Sequence, residues 1–285
     1  MRHRFEIGFA AAALAAVMGI APALAQDNWG RAAAGVRLES LTFDLMALPG
    51  QQSPSVNFNM AYDPSINNFT VIEAQAVTIP GQSGPALSST LGPFDDQWFA
   101  SHSDLASGHA YVLNFGTVQG TAFEAWGMAT SGDGLSWFSA GVNGPYTGYG
   151  AWFTLSPYTE LVIRGWASLG VEGSGGNEAG ISDSNAYAHA WMSFTGPPAY
   201  GGGGSQSDTA FLSLAGSSYY GGSPFDLEDQ RWMQIRFVNG TDAPMDARFE
   251  FSVYVAGMAN PVPEPASWAL MLGGLALVGA ALRRR

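Results

Sequence analysis

The chain has 285 residues, with 23 acidic side chains against 11 basic ones that are all arginine, no cysteine and four histidines. A surface this acidic and free of lysine argues against nucleic acid and anionic lipid as partners, since both are held through clustered Lys and Arg. Without cysteine there is no disulfide framework, thiolate nucleophile or Cys-ligated metal, so the core must be held by burial alone.

At the start, Arg2, His3 and Arg4 precede an apolar run from Ile7 to Ile20, and Ala23-Leu24-Ala25 stands before Gln26. This is the layout of a secretory signal peptide, and it predicts cleavage by signal peptidase after Ala25, with Ala23 and Ala25 as the small residues of the site. Residues 1–25 and 261–285 are therefore read as processing segments around a body of residues 26–260. Without Glu6, Glu264 and the five terminal arginines, that body has 21 acids against 6 arginines, a net charge of about −15.

Ala32-Ala33-Ala34 predicts a short helical turn, and from there the signal is β. In chain order, strands are expected at 36–48, around Val56, Phe58 and Met60, and at 69–79, 109–118, 121–130 and 149–155. They continue at 161–169, 185–194 and 209–215, then around Met233, Ile235 and Phe237 and along Phe249, Phe251, Val253 and Val255, each showing period-2 alternation or a short apolar run between turn residues. His102 is expected in a loop after Trp98 and Phe99. The Gly-rich stretches 170–184 and 201–205 look like linkers but read best as long hairpin loops of one domain. About ten short strands with frequent Gly and Pro turns, and no sustained 3.6-residue repeat, predict an all-β fold: a single β-sandwich of jelly-roll or related Greek-key type.

Residues capable of chemistry are few. The body holds only His102, His109 and His189, without H-x-x-x-H or H-x-x-E spacing, and no G-x-S-x-G elbow surrounds any serine. Glycoside hydrolysis needs only two facing carboxylates. Glu124, between Phe123 and Trp126, is the best single candidate, with Asp133 as a partner, because aromatic neighbours would raise its pKa and stack a sugar ring. The other reading turns Glu124 to solvent. Acidic stretches at Glu172–Asp183 and at Asp226, Glu228 and Asp229 offer oxygen ligands for Ca²⁺, but no D-x-D-x-D-G register accompanies them, and solvated loops are the expectation.

Aromatic residues are more suggestive. Alternation places Tyr187, His189 and Trp191 on one face of a strand and Ala186, Ala188 and Ala190 on the other, while Trp166 shares a face with Arg164. Facing outward, these rings would form a platform for pyranose stacking, with Arg164 and His189 donating hydrogen bonds. Large rings ordinarily fill sandwich cores, so core packing is the expectation.

The tail is the most specific segment. Val262-Pro263-Glu264-Pro265-Ala266-Ser267-Trp268-Ala269 leads into an uncharged run, 17 residues from Ala266 to Leu282, followed by Arg283, Arg284 and Arg285. Such a run is just long enough for a transmembrane helix, and the arginines would hold its end in the cytoplasm. Pro263, Glu264, Pro265, Trp268 and Ala269 match the pattern PEPxxWA. In this the tail resembles the PEP-CTERM sorting signals of Gram-negative, exopolysaccharide-producing bacteria, which implies recognition and cleavage by an exosortase, a membrane protease. The body is similar to an uncharacterised type of PEP-CTERM passenger carrying L-x-P-x-T-x-L-V-I-x-G, here Leu155 to Gly165, but is richer in Trp than in Ser on the strands after Gly165. The resulting expectation is an exported protein, anchored in the inner membrane and then sorted to the cell surface or extracellular matrix. There it would have a structural or adhesive role in a biofilm, with exopolysaccharide as its specific partner and no cofactor. The alternative is a secreted glycan hydrolase.

Overall fold

The structure is a computed structural model that describes residues 30–50, 53–58, 70–79, 87–91, 97–103, 105–113, 121–131, 134–142, 150–174, 182–196, 207–218 and 223–261. Fourteen strands run through the described residues, and none of these residues is helical. They are β1 (Arg31–Ala47), β2 (Val56–Phe58), β3 (Thr70–Ile79), β4 (Leu87–Leu91), β5 (Gln97–Ser103), β6 (Ala106–Leu113) and β7 (Ala122–Thr130). The second half adds β8 (Leu135–Val142), β9 (Gly150–Leu155), β10 (Thr159–Ser174), β11 (Ser182–Thr195), β12 (Ser207–Ser218), β13 (Phe225–Asn239) and β14 (Met245–Pro261).

A six-stranded sheet in the order β13-β10-β1-β7-β6-β5 faces an eight-stranded one in the order β12-β11-β14-β8-β3-β4. In the latter, β8 pairs with Val253–Ala259 of β14, and β9, flanked by β2, takes the same edge at Met245–Glu250. All pairings are antiparallel. The first and last strands among the described residues, β1 and β14, lie in the interior of their sheets, and the sequential hairpins β3-β4, β5-β6 and β11-β12 lie at the borders.

The inner faces close on one cluster of buried side chains drawn from both sheets. Seven of its members are fully buried phenylalanines: Phe123, Phe138, Phe153, Phe194, Phe237, Phe249 and Phe251. Phe123 of the six-stranded sheet stacks on Phe251 of the other at 3.8 Å between centroids. Sheets of a sandwich lie about 10 Å apart, too close for rings on both inner faces at every position. Alanine makes the space: Ala32, Ala34, Ala110, Ala125, Ala186, Ala188 and Ala190 all point inward and are buried.

This packing overrides the helical turn expected at Ala32-Ala33-Ala34, which instead pairs on both sides as the start of β1, with Gly173, Glu172 and Val171 of β10 and with Ala129, Met128 and Gly127 of β7. Within β1 the buried positions change parity, from Ala32, Ala34, Val36 and Leu38 to Leu41 and Phe43. The shift is absorbed by a bulge between Glu39 and Thr42, with Ser40 in the left-handed region at φ 56°. His102 stands on β5, not in a loop. Strands β4, β5 and β8 were not expected from the sequence. The Gly-rich stretch after 170 is strand as far as Ser174 and resumes as strand at Ser182, and it joins one sheet to the other instead of forming a hairpin within one. The second stretch, 201–205, lies outside the described residues.

Hydrogen bonds tie the two lateral edges across the sheets. On one side Ala76 N donates to Ser101 Oγ at 3.2 Å, and the hydroxyls of Thr78 and Ser103 meet at 2.7 Å. On the other, Arg236 N donates to Asp208 Oδ2 at 2.7 Å, and Arg231 Nη2 to Phe211 O at 2.6 Å. These contacts occupy edge groups that would otherwise invite another strand. The two ends of the sandwich differ. Arg31 pairs with Ser174 and Pro261 with Ser182, so β1 begins and β14 stops at the same pole, where β10 ends and β11 begins. At the opposite pole, buried Asn239 donates from Nδ2 to the carbonyls of Leu155, Ser156 and Ala243 and accepts at Oδ1 from Thr241 N.

Candidate functional site

The alternation on β11 is resolved by the alanines. Ala186, Ala188 and Ala190 fill the narrow inter-sheet space, so Tyr187, His189 and Trp191 stand on the outer face of the eight-stranded sheet, and the expected core packing of these rings is corrected. Register supplies their neighbours. His189 lies between Ser213 of β12 and Tyr254 of β14, and Trp191 between Phe211 and Ser252. Around the imidazole, ring centroids stand at 5.5 Å for Tyr187, 5.9 Å for Phe211 and 5.7 Å for Tyr254.

Though on an outer face, His189 is only 4% exposed, because the surrounding rings cover it. Its Nε2 lies 3.4 Å from Ser252 Oγ and its Nδ1 has no partner among the described residues. Burial pushes its pKa down to about 4, leaving a neutral ring at physiological pH. Phe211, by contrast, is 48% exposed. The arrangement is an aromatic surface with a buried imidazole nitrogen beneath it that is able to make one more hydrogen bond. Phe211 and Tyr254 have no sequence signal linking them to Tyr187; cross-strand register alone brings them there.

Trp166 belongs elsewhere. It lies on the outer face of the six-stranded sheet, on the opposite side of the molecule, against Trp232 of β13. The four aromatic and imidazole residues singled out together in the sequence are thus divided between two faces.

Glu124 also lies on this second face, and the rise expected in its pKa is present, but its neighbours differ from those expected. Phe123 points into the core, fully buried, and Trp126 stacks flat on His109, with centroids 4.0 Å apart and planes at 7°. Glu124 accepts a hydrogen bond at Oε2 from the Tyr111 hydroxyl, and the same oxygen lies 3.6 Å from Arg37 Nε. Arg37 also pairs with Glu39 at 2.8 Å. Burial raises the Glu124 pKa, while Tyr111 and Arg37 oppose the rise; burial and the neighbouring Glu124 push the Tyr111 phenol up. Asp133 lies outside the described residues, and the second carboxylate present, Glu39, shares Arg37 with Glu124. This is a hydrogen-bonded ion cluster on a sheet face, in which Glu124 Oε2 contacts β6 and β1 and Glu39 contacts Arg37 of its own strand.

Among the described residues no three His, Asp or Glu side chains gather as a metal site. Asp226, Glu228 and Asp229 stand on strand β13 instead of a ligand loop, so Asp226 and Glu228 share one face and Asp229 takes the other. Glu172 is paired with Arg31 at 3.3 Å.

The tail leaves directly from the end of β14. Its sequence, residues 261–285, matches the family model of the PEP-CTERM protein-sorting motif. The chain carries a PEP-CTERM sorting signal. The motif implies export, processing by an exosortase membrane protein and membrane-anchored sorting toward the cell surface. The match covers the tail alone, and no curated protein or solved structure matches the chain. No helix among the described residues is long and apolar enough to cross a membrane; residues 1–25 and 262–285, which carry the signal-peptide and membrane-helix expectations, lie outside them.

Proposed function

We propose that the chain is a non-enzymatic protein of the cell surface or extracellular matrix whose β domain, residues 26–260, adheres to exopolysaccharide. In this reading signal peptidase removes residues 1–25, the helix from Ala266 to Leu282 holds the chain in the inner membrane of a Gram-negative cell, and an exosortase then releases it. The observation that carries the adhesive part is the outward orientation of Tyr187, His189, Trp191, Phe211 and Tyr254, with alanines taking the inward positions on β11. A pyranose ring offers an apolar C–H face to stack on the outward rings, of which Phe211 is the most open. The paired state of Glu124 favours adhesion over hydrolysis, since its Oε2 is already engaged by both Tyr111 and Arg37.

Two experiments test this. Trp191→Ala is expected to weaken binding to exopolysaccharide purified from the producing cells by about tenfold, on the order of 1–2 kcal/mol, while the thermal midpoint stays close to wild type because the ring is half-buried on an outer face. Undiminished binding would remove the platform. Release of reducing ends by the wild type, lost in Glu124→Gln, would instead identify a hydrolase. Separately, intact-mass analysis of the secreted form is expected to show neither residues 1–25 nor the Arg283–Arg285 end.

A further inference from the structure

The outer face of the six-stranded sheet has its own combination of an open ring and fixed polar groups. Trp232 lies in mid-strand on β13, yet 57% of its surface is exposed. Its cross-strand partner is Trp166, and the two indoles meet edge to face at 5.5 Å and 67°, an arrangement that steadies Trp232 without covering it. Two residues along the same strands, roughly 7 Å away, Arg164 stands opposite Gln234 on the same face. Arg164 Nε donates to Gln234 Oε1 at 2.9 Å, and its Nη1 pairs with Asp44 of β1. The guanidinium is thus held in one orientation by strands on both sides.

These features select an occupant. An exposed indole beside a rigid guanidinium and amide offers a stacking surface and hydrogen-bond donors and acceptors at about the spacing of one sugar ring. Arg164 is neutralised by Asp44, and the body as a whole is strongly acidic, so a polyanion gains no attraction there and is repelled at longer range. The chemistry fits an uncharged polysaccharide. Because the face lies across two sheets from Tyr187, His189 and Trp191, a glycan chain resting on one face cannot touch the other.

We propose that Trp232, Trp166, Arg164 and Gln234 form a second saccharide site, and that a single domain joins two polysaccharide chains by holding one on each face. The proposal rests on the glycan reading of the first face and supplies a physical basis for a matrix role, since bivalent proteins crosslink polymers whereas monovalent ones only coat them.

The test uses the secreted protein, the exopolysaccharide of the producing cells and, as polyanionic control, alginate. Binding is measured by co-sedimentation and bridging by light scattering. The wild type is expected to bind and to raise scattering. Trp232→Ala, an exposed substitution whose thermal midpoint checks its fold, is expected to bind still but to lose bridging about tenfold, as is Trp191→Ala, and the double variant is expected not to bind. Bridging by Trp232→Ala equal to wild type would overturn the second site while leaving the first intact. Tight binding of alginate would overturn the uncharged ligand. Failure of the wild type to bind at all would remove the glycan reading itself, a result distinct from loss of bridging alone.

Discussion

Single residues in this protein act through what their neighbours leave open to them. His189 is the clearest case, an imidazole on an outer face that aromatic rings have nevertheless buried. Its folded pKa of about 4 lies below the 6.5 of an ordinary imidazole, so between these limits the unfolded chain binds the proton and the native state does not. Stability contributed by the neutral ring is then present above about pH 6.5 and lost as pH falls toward 4, by an amount on the order of 3 kcal/mol. Melting His189→Gln beside wild type at pH 7.5 and pH 4.5 should show the variant losing less on acidification; equal losses would place the acid sensitivity elsewhere. Glu124 shows the opposite relation of sequence to structure. Its sequence neighbours are Phe123 and Trp126, but one faces the core and the other stacks on His109, and the groups that engage it, Tyr111 and Arg37, come from β6 and β1.

At the scale of elements, the alternation of apolar and polar residues made most strands visible, and their omissions have physical causes. β8, Leu-Ser-Trp-Phe-Ser-Ala-Gly-Val, has aromatics at adjacent positions, so its alternation is blurred, although Phe138 points inward and Trp137 outward. Phe138 in turn explains two glycines: a Cβ at Gly127 or Gly257 would lie 2.1 or 2.5 Å from its ring. Asn239, which precedes Gly240 at the end of β13, is fully buried and joins the β13–β14 connection to the end of β9. Three carbonyls depend on its amide donors. Asn239→Asp keeps the size but removes the donors and buries a charge, and is expected to destabilise by about 2–4 kcal/mol, measurable by urea unfolding. A loss below about 0.5 kcal/mol would show that water serves those carbonyls equally well.

For the whole molecule, the decisive feature is that β1 and β14 begin and end at one pole while occupying the interiors of opposite sheets. The eight-stranded sheet is not joined until the last strand arrives, because β14 links β11 to β8 and β9, so a chain ending before Met245 is expected to stay unfolded, whereas one ending at Pro261 is expected to melt as the secreted form does. The apolar run begins five residues after Pro261, a tether of at most about 18 Å. With that run spanning the membrane, as proposed above, the pole of Arg31, Ser174, Ser182 and Pro261 is expected to face the membrane before release, with both outer faces lateral and accessible. The absence of cysteine makes a direct check simple. In tail-bearing protein reconstituted into vesicles, a fluorophore on Ser217→Cys should be quenched by headgroup quenchers and one on Asp242→Cys, at the far pole, should not; equal quenching would exclude this orientation.

The sequence alone determined the address and the class of fold. A sorting motif is a local string whose residues act in order, and the all-β character follows from side-chain periodicity within each strand, so both are encoded in contiguous residues. Which face of a strand looks inward was decided only by the tertiary structure, because that choice depends on what the opposite sheet supplies. Here seven buried phenylalanines leave room for alanine and turn Tyr187, His189 and Trp191 outward. The same reason hid the pairing of Trp166 with Trp232 and of His189 with Phe211 and Tyr254: each joins residues on different strands, and register is set by the packing of the whole.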